Sequence, residues 1–227
     1  MRAITKGPEP AQLAAYRAVP GATYDGKDFT PVKDEIREAL LRDQRALCCY
    51  CMRSISTEAR PHPTRPAAPA VVQMKVEHWR SQVGFSTLQL AWTNMLGACL
   101  GGEGSSRGDQ TCDTRKGEDA IVLSPLDATH VETLRCTSAG RLESTNAQFQ
   151  KDIDDRLNLN HRILVEDRKA MLSRDLAPLV RQHRTGTIPE PALRRLVTDL
   201  ETPTAGKLRE HCCVLRLWAR KRFGGGW

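Results

Sequence analysis

The chain has 227 residues, 40% hydrophobic and 27% charged, with 34 Lys and Arg against 27 Asp and Glu for a net charge of +7. This balance permits a buried core and disfavours wholesale disorder. No uncharged apolar run approaches the roughly 20 residues of a spanning helix, and the opening MRAITKGPEPAQL lacks the apolar stretch of a signal peptide, so membrane and secretory classes are disfavoured.

In chain order, the first 30 residues are rich in Gly, Pro and Ala and read as an extended arm with one short helix around Ala11 to Ala18. Thr30 followed by Pro31 has the form of an N-cap and first-turn proline, predicting a helix to about Leu47 with Ile36, Ala39, Leu40 and Leu47 on one side. Four prolines between Glu58 and Ala70 predict a polyproline-like loop. Strands are expected over Val71 to His78, where VVQMKVEH alternates loosely, and over Asn94 to Cys99. A Gly-rich insert, GGEGSSRG, precedes a short helix from Asp113, and Ala120 to Leu123 and His130 to Cys136 read as further strands, the latter turning at Ser138 to Gly140. From Ser144 the pattern becomes helical, over 146–158, 160–183, 188–201 and 205–223, with Thr145/Gln148 and Thr187/Glu190 spaced as capping boxes. The expected organisation is an α+β protein: an arm and helix over 1–43, a core over 44–120, and a mainly helical region over 121–227 that docks a partner or substrate.

Eight cysteines stand at 48, 49, 51, 99, 112, 136, 212 and 213. In a reducing compartment clustered cysteines point to metal more than to disulfides. Cys48 and Cys51, spaced C-x2-C, can pinch a Zn²⁺ ion that wants four soft ligands in a tetrahedron; Cys49 then points away, and Cys99 and Cys112 offer the second pair across the Gly-rich insert. Buried free thiols or a Cys48/Cys51 redox pair are the other readings, the latter disfavoured because no βαβ pattern surrounds the motif. Cys136, Cys212 and Cys213 read as small buried hydrophobes. The charge surplus lies away from this region: Cys48 to Ala120 holds eight basic and seven acidic residues, whereas Lys207 to the end holds six basic residues against Glu210 alone. That asymmetry suits a polyanionic partner or a solvated helix face.

Between the cysteine pairs lie Glu77-His78, Asn94 and, directly after the last cysteine, Asp113 with Lys116 three residues on. The segments CCYC, VEHW, WTNMLGAC and CDTRKGE, spanning roughly 44 to 118, resemble the HNH nuclease motif. The resemblance implies a zinc-clipped ββα-metal core in which His78 is the general base, Glu77 and Asp113 hold a catalytic Mg²⁺ or Mn²⁺ ion, and Asn94 supports the loop that orients His78. An imidazole near neutral pKa suits the removal of a proton from water, and carboxylate oxygens suit a hard cation. Lys116 and Arg115 could contact phosphate or face solvent. Two departures from the family pattern stand out: Asp113 where Asn is commoner, and C-x12-C where C-x2-C is usual.

The opening MRAITKGPEP, the phrase REALLRDQRALCCYC, and NMLGAC followed by the insert and CDTRKG are similar to the PtuB-type HNH proteins of bacterial anti-phage defence, encoded beside a PtuA-like ABC/SMC-type ATPase in Septu and some retron systems. This implies a cytoplasmic bacterial nuclease effector that cuts DNA or RNA with that ATPase as partner. The rival reading is a zinc module that binds nucleic acid or protein without cleaving it.

Overall fold

The computed structural model describes residues 1–62, 64–183, 188–224 and 226–227. The elements form a mixed α+β arrangement of helices and three separate two-stranded antiparallel sheets. Helix α1 (Ala11–Arg17) packs on α2 (Phe29–Gln44), and α2 in turn packs on the hairpin of β3 (Lys75–His78) and β4 (Met95–Ala98). Ile36, Ala39 and Leu40 are buried, so the predicted apolar side of α2 meets the core, but the helix ends at Gln44, where Arg45 turns left-handed, and the buried Leu47 lies beyond it in a bridge to Ser54. The helix begins at Phe29 behind Asp28, which holds a left-handed φ of 61°, and Thr30 lies inside its first turn instead of capping it.

The predicted strand Val71 to His78 is two strands in two sheets. β2 (Val71–Val72) pairs with β1 (Ala59–Arg60) and closes the proline-rich loop, while β3 pairs with β4 in the register Lys75–Ala98, Val76–Gly97, Glu77–Leu96 and His78–Met95. Gly97 sits tightly where β4 crosses α2. Its N–H and C=O bond to the Gln44 side chain at 2.6 and 2.8 Å and its carbonyl accepts from Cys49 N–H at 2.9 Å, and a β-carbon would come within 2.9 Å of Ile55.

Past the short helix α3 (Cys112–Lys116), several expectations give way to side-chain hydrogen bonding. Ala120 to Leu123 is extended but unpaired as a strand, because the N–H groups of Val122 and Leu123 both donate to Asp152 Oδ2, at 2.7 and 2.8 Å. Asp127 caps a short helix α4 (Ala128–Glu132) through Thr129 N–H, which removes His130 from the predicted strand and leaves β5 (Leu134–Cys136) paired with β6 (Leu142–Ser144). Asn146, not Thr145, caps α5 (Ala147–Lys151), its Oδ1 accepting from Gln148 and Phe149; Thr145 N–H is taken by Thr133 O at the end of the β5–β6 hairpin. A wider turn, Asp152–Arg156, follows, and then α6 (Arg162–Gln182) and α7 (Glu190–Leu200). Pro189 precedes α7; Thr187 of the proposed capping box lies outside the described residues.

The last predicted helix starts late. Residues 205–213 make turns with positive φ at Ala205, Gly206 and His211, and only α8 (Val214–Phe223) is helical. The reason is long-range pairing: Leu208 N–H donates to Arg45 O at 3.0 Å and His211 N–H to Met52 O at 3.0 Å, tying this stretch to the Cys48–Cys51 knuckle. α8 packs on β5 and α6, and buried side chains from Met1 to Trp227 join one apolar core. No helix among the described residues is long and apolar enough to cross a membrane.

Candidate metal centre and adjoining cleft

Two features share the β3–β4 hairpin and α3. The first is a cluster of Cys48, Cys51, Cys99 and Cys112, whose sulfur atoms all lie within 4.8 Å of one another, with Cys51 Sγ and Cys99 Sγ 3.6 Å apart. A tetrahedral Zn²⁺ with bonds of about 2.3 Å requires sulfurs about 3.8 Å apart, so the set could hold a metal such as zinc. The pairing is local at one end: Cys48 N–H donates to Arg53 O and Met52 N–H to Cys48 O, closing the knuckle, and Met52 takes a left-handed φ of 71°. The other pair is brought together by a pinched loop, in which Thr111 N–H donates to Gly101 O at 2.8 Å. A β-carbon at Gly101 would sit 2.2 Å from Thr111 O, so only glycine allows the pinch. The insertion thus bulges outward and delivers Cys112 beside Cys99. Asn158 secures it by donating to Gly108 O and Gln110 O, and Leu157 O accepts from Cys112 N–H at 2.8 Å.

The thiols respond to their crowding. Burial opposes ionisation at Cys48, but the S–H groups of Cys112, Cys49, Cys51 and Cys99 around it hold its thiol well below the usual range. Cys112 is held well above that range by its bonds to Cys48, Cys51 and Cys99 and by burial. One thiolate is therefore favoured and the next resisted, a conflict that a bound divalent cation resolves. Cys49 is not one of the four clustered sulfurs, although its S–H donates to Cys48, and burial pushes its thiol up. Cys136 and Cys212 are buried elsewhere, with burial raising each to about 12.

The second feature is an open cleft of about 310 Å³ lined by Glu77, His78, Asp113 and Lys116, together with Tyr24, Lys33 and Arg37 from the N-terminal segment and Ser81 and Gln82. Glu77 and His78 end β3, both nearly fully buried. Glu77 Oε1 accepts from Tyr50 OH at 2.7 Å and pairs with Lys116 Nζ at 2.9 Å. Burial, followed by the adjacent charge of Asp113, pushes the Glu77 carboxyl well above its usual range despite Lys116 and Tyr50. Burial opposes the Asp113 charge as well, but a bond from Glu77 and the Lys75 ammonium 3.3 Å away keep its carboxyl below the usual range. The site thus favours the protonated form of Glu77 and the ionised form of Asp113, a balance that a bound hard cation would shift.

His78 Nε2 lies 2.9 Å from the backbone carbonyl of Gln89. A carbonyl only accepts, so Nε2 carries the proton and Nδ1 keeps the free lone pair. Burial lowers the imidazole pKa, which keeps the ring neutral near pH 7. Asn94 is buried behind this wall and bonds the loop that follows His78: its Oδ1 accepts from Arg80 N–H at 2.7 Å, and its Nδ2 donates to Arg80 O and Leu88 O.

The basic residues expected at phosphate behave differently. Lys116 is buried, its ammonium donating to His78 O at 3.0 Å and Gly117 O at 3.3 Å besides Glu77, so it ties strand to helix in place of reaching outward. Arg115 turns away to Asp155 O and Arg107 O. In their place Lys33, Arg37 and Lys75 stand around the cleft. Lys75 was accessible to a period-2 reading, since it shares a strand face with Glu77; Tyr24, Lys33 and Arg37 lie over 40 residues away and carry no local signal. Tyr50 was overlooked between cysteines. Arg168 was missed as well: nearly fully buried, it donates to Gly140 O and Leu159 O, and the nearby thiols of Cys136 and Cys51 favour its charge against the cost of burial.

No protein-family model matches the chain. It is similar to an Escherichia coli protein described as "Retron Ec83 putative HNH endonuclease", at 28% identity over 146 residues, which cover 57% of this chain and 52% of that protein. The chain thus spans about half the length of the curated relative it matches. That partial likeness stands beside a four-cysteine cluster that could hold a metal and a mixed α+β fold.

Proposed function

We propose that the protein is a divalent-metal-dependent HNH endonuclease that hydrolyses phosphodiester bonds, with β3, β4 and α3 as its ββα-metal element and a structural Zn²⁺ on the four cysteines. The observation that carries this reading is the convergence of His78, Glu77 and Asp113 in one cleft whose helix also supplies a cluster cysteine. Glu77 and Asp113 would hold Mg²⁺ or Mn²⁺, which when bound supplies Lewis-acid polarisation of the phosphoryl group and stabilises the leaving oxygen. His78 receives the proton of the attacking water on Nδ1, while Gln89 O keeps Nε2 protonated and the ring oriented. Asn94 holds the loop on which Gln89 stands, through Leu88 O and Arg80. By resemblance we extend the proposal to a cytoplasmic effector of anti-phage defence, of the PtuB type, acting on DNA or RNA with a PtuA-like ATPase.

The test is cleavage of DNA and RNA by the zinc-loaded chain, alone and reconstituted with the neighbouring ATPase, with and without Mg²⁺. Cleavage that needs Mg²⁺ supports the proposal. Binding of nucleic acid without cleavage in every combination would favour the non-catalytic zinc module.

A further inference from the structure

The cleft has a wall that the nuclease motif does not contain. Residues ahead of α2 cross the mouth of the hairpin, and there Tyr24 sets its ring against the imidazole of His78, centroids 4.5 Å apart and planes at 90°. The contact is built from both sides. Behind Tyr24, Phe29 packs at 4.7 Å and Tyr16 packs on Phe29 at 5.2 Å, so the ring cannot retreat toward α1 and α2. Ahead of it, Gln89 joins the two partners: its side-chain Oε1 accepts from Tyr24 N–H at 3.0 Å, while its backbone carbonyl takes the Nε2 proton of His78 at 2.9 Å. One residue therefore fixes the main chain of the tyrosine and the tautomer of the histidine together.

From this we infer that Tyr24 is a positioning residue for His78, with Gln89 clamping the pair so that Nδ1 points into the cleft in a single ring orientation. A histidine ring anchored by one hydrogen bond can still pivot about that bond and swing off it, after which either ring nitrogen can carry the proton. An edge-to-face neighbour removes the pivot, because such aromatic pairs favour a defined angle as well as a distance. The ring's hydroxyl makes no side-chain hydrogen bond among the described residues, so the argument rests on the ring and not on the phenol. The N-terminal segment thereby becomes part of the catalytic cleft. This inference rests on the nuclease reading for its kinetic consequence, but not for its structural one.

The experiment compares the zinc-loaded full chain with Tyr24→Leu, Tyr24→Phe and Gln89→Ala, reading kcat and KM for nucleic-acid cleavage, zinc content, and the NMR signals of the isotope-labelled His78 ring nitrogens. Loss of orientation at a reacting group costs up to about 10²-fold. The expected result is a fall of about 10- to 100-fold in kcat for Tyr24→Leu with KM and zinc unchanged, a smaller fall for Gln89→Ala, and substantial rescue by Tyr24→Phe, which keeps the ring. The ring nitrogens should report one protonated and one bare site in the parent and Tyr24→Phe, and averaged sites in Tyr24→Leu. A Tyr24→Leu protein with parental kcat and a single tautomer overturns the inference while leaving the nuclease reading intact. If the parent cleaves nothing, the nuclease reading fails and the nitrogen signals alone decide the positioning role: averaging in Tyr24→Leu upholds it, and an unchanged tautomer overturns it.

Discussion

The cysteine cluster and the cleft stand on the same hairpin and the same short helix, yet they are built to opposite specifications. Cys112 and Asp113 are consecutive on α3, one buried among thiols and the other at a polar opening beside Lys75. The cluster is the more enclosed: three of its four like ligands are buried and Cys99 half-buried, and the set is tied down by Leu157, Asn158, Leu208 and His211 from the helical region. The cleft is open and chemically mixed, with four carboxyl groups, an imidazole, three ammonium groups and a guanidinium. A site that only has to hold can be uniform and enclosed, whereas one that has to react keeps unlike groups in tension and a route for substrate. The shared helix means that whatever holds the cluster also fixes where Asp113 stands.

Breaking the cluster should have the largest effect. Structural zinc contributes about 10–16 kcal/mol in small zinc domains, so Cys51→Ser or a strong chelator should remove the metal and unfold the hairpin region; zinc analysis with circular dichroism checks it. Next comes the pair that crosses from α3 to β3. Lys116→Met leaves the buried Glu77 carboxyl beside Asp113 without its ammonium and frees His78 O, and breaking a buried pair in this way costs about 3–5 kcal/mol. Chemical denaturation should show that loss with zinc still bound, separating damage at the cleft from damage at the cluster.

A third effect is acid sensitivity of the bracket around the knuckle. Burial, followed by the nearby Arg168, lowers His211 from 6.5 to about 4, against the opposing pull of Asp167 and Glu210. The neutral ring is the one that folds, so its contribution is complete above pH 6.5 and is lost as pH falls toward 4. The size of this linkage is on the order of 3 kcal/mol, and a His211→Gln protein should show a flatter stability profile between those values. The smallest effect belongs to the surface: Arg216 forks onto Glu201 at 2.8 Å while partly exposed, and Arg216→Ala should cost about 1 kcal/mol or less.

That last pair also changes how the positive charge is understood. The six C-terminal cations suited a polyanionic partner or a solvated helix face; in the structure Arg209 meets Asp175, Arg216 meets Glu201, Lys221 meets Glu143, and Arg220 donates to the carbonyls of Trp227 and Val131. Much of the surplus is used inside the fold. Such partners lie up to 89 residues apart, and nothing in a local pattern announces them.

What could be read in advance was local. The apolar side of α2, a strand ending at His78, a strand within Asn94 to Cys99 and the short helix from Asp113 follow from local spacing, whereas the four cysteines, spread from 48 to 112, are joined in the sequence only by the resemblance to the HNH motif. What escaped was decided by distant chain. Asp152 captures the N–H groups of Val122 and Leu123, Arg45 and Met52 hold 208–211 out of a helix, and Tyr24 reaches His78 across more than 50 residues. Lys116 shows the limit most clearly: its position three residues after Asp113 was legible, while the choice between substrate and the buried Glu77 depended on the depth at which α3 packs.

The central claim is that the cleft is catalytic and the cluster structural, and His78→Ala tests it most directly. Zinc content, thermal stability and nucleic-acid cleavage with Mg²⁺ are measured on the parent and the variant, each alone and with the proposed PtuA-like ATPase. Removing a general base costs about 10²- to 10⁴-fold, so the account predicts cleavage reduced by that factor with zinc and folding intact. Parental cleavage by the His78→Ala protein would contradict it.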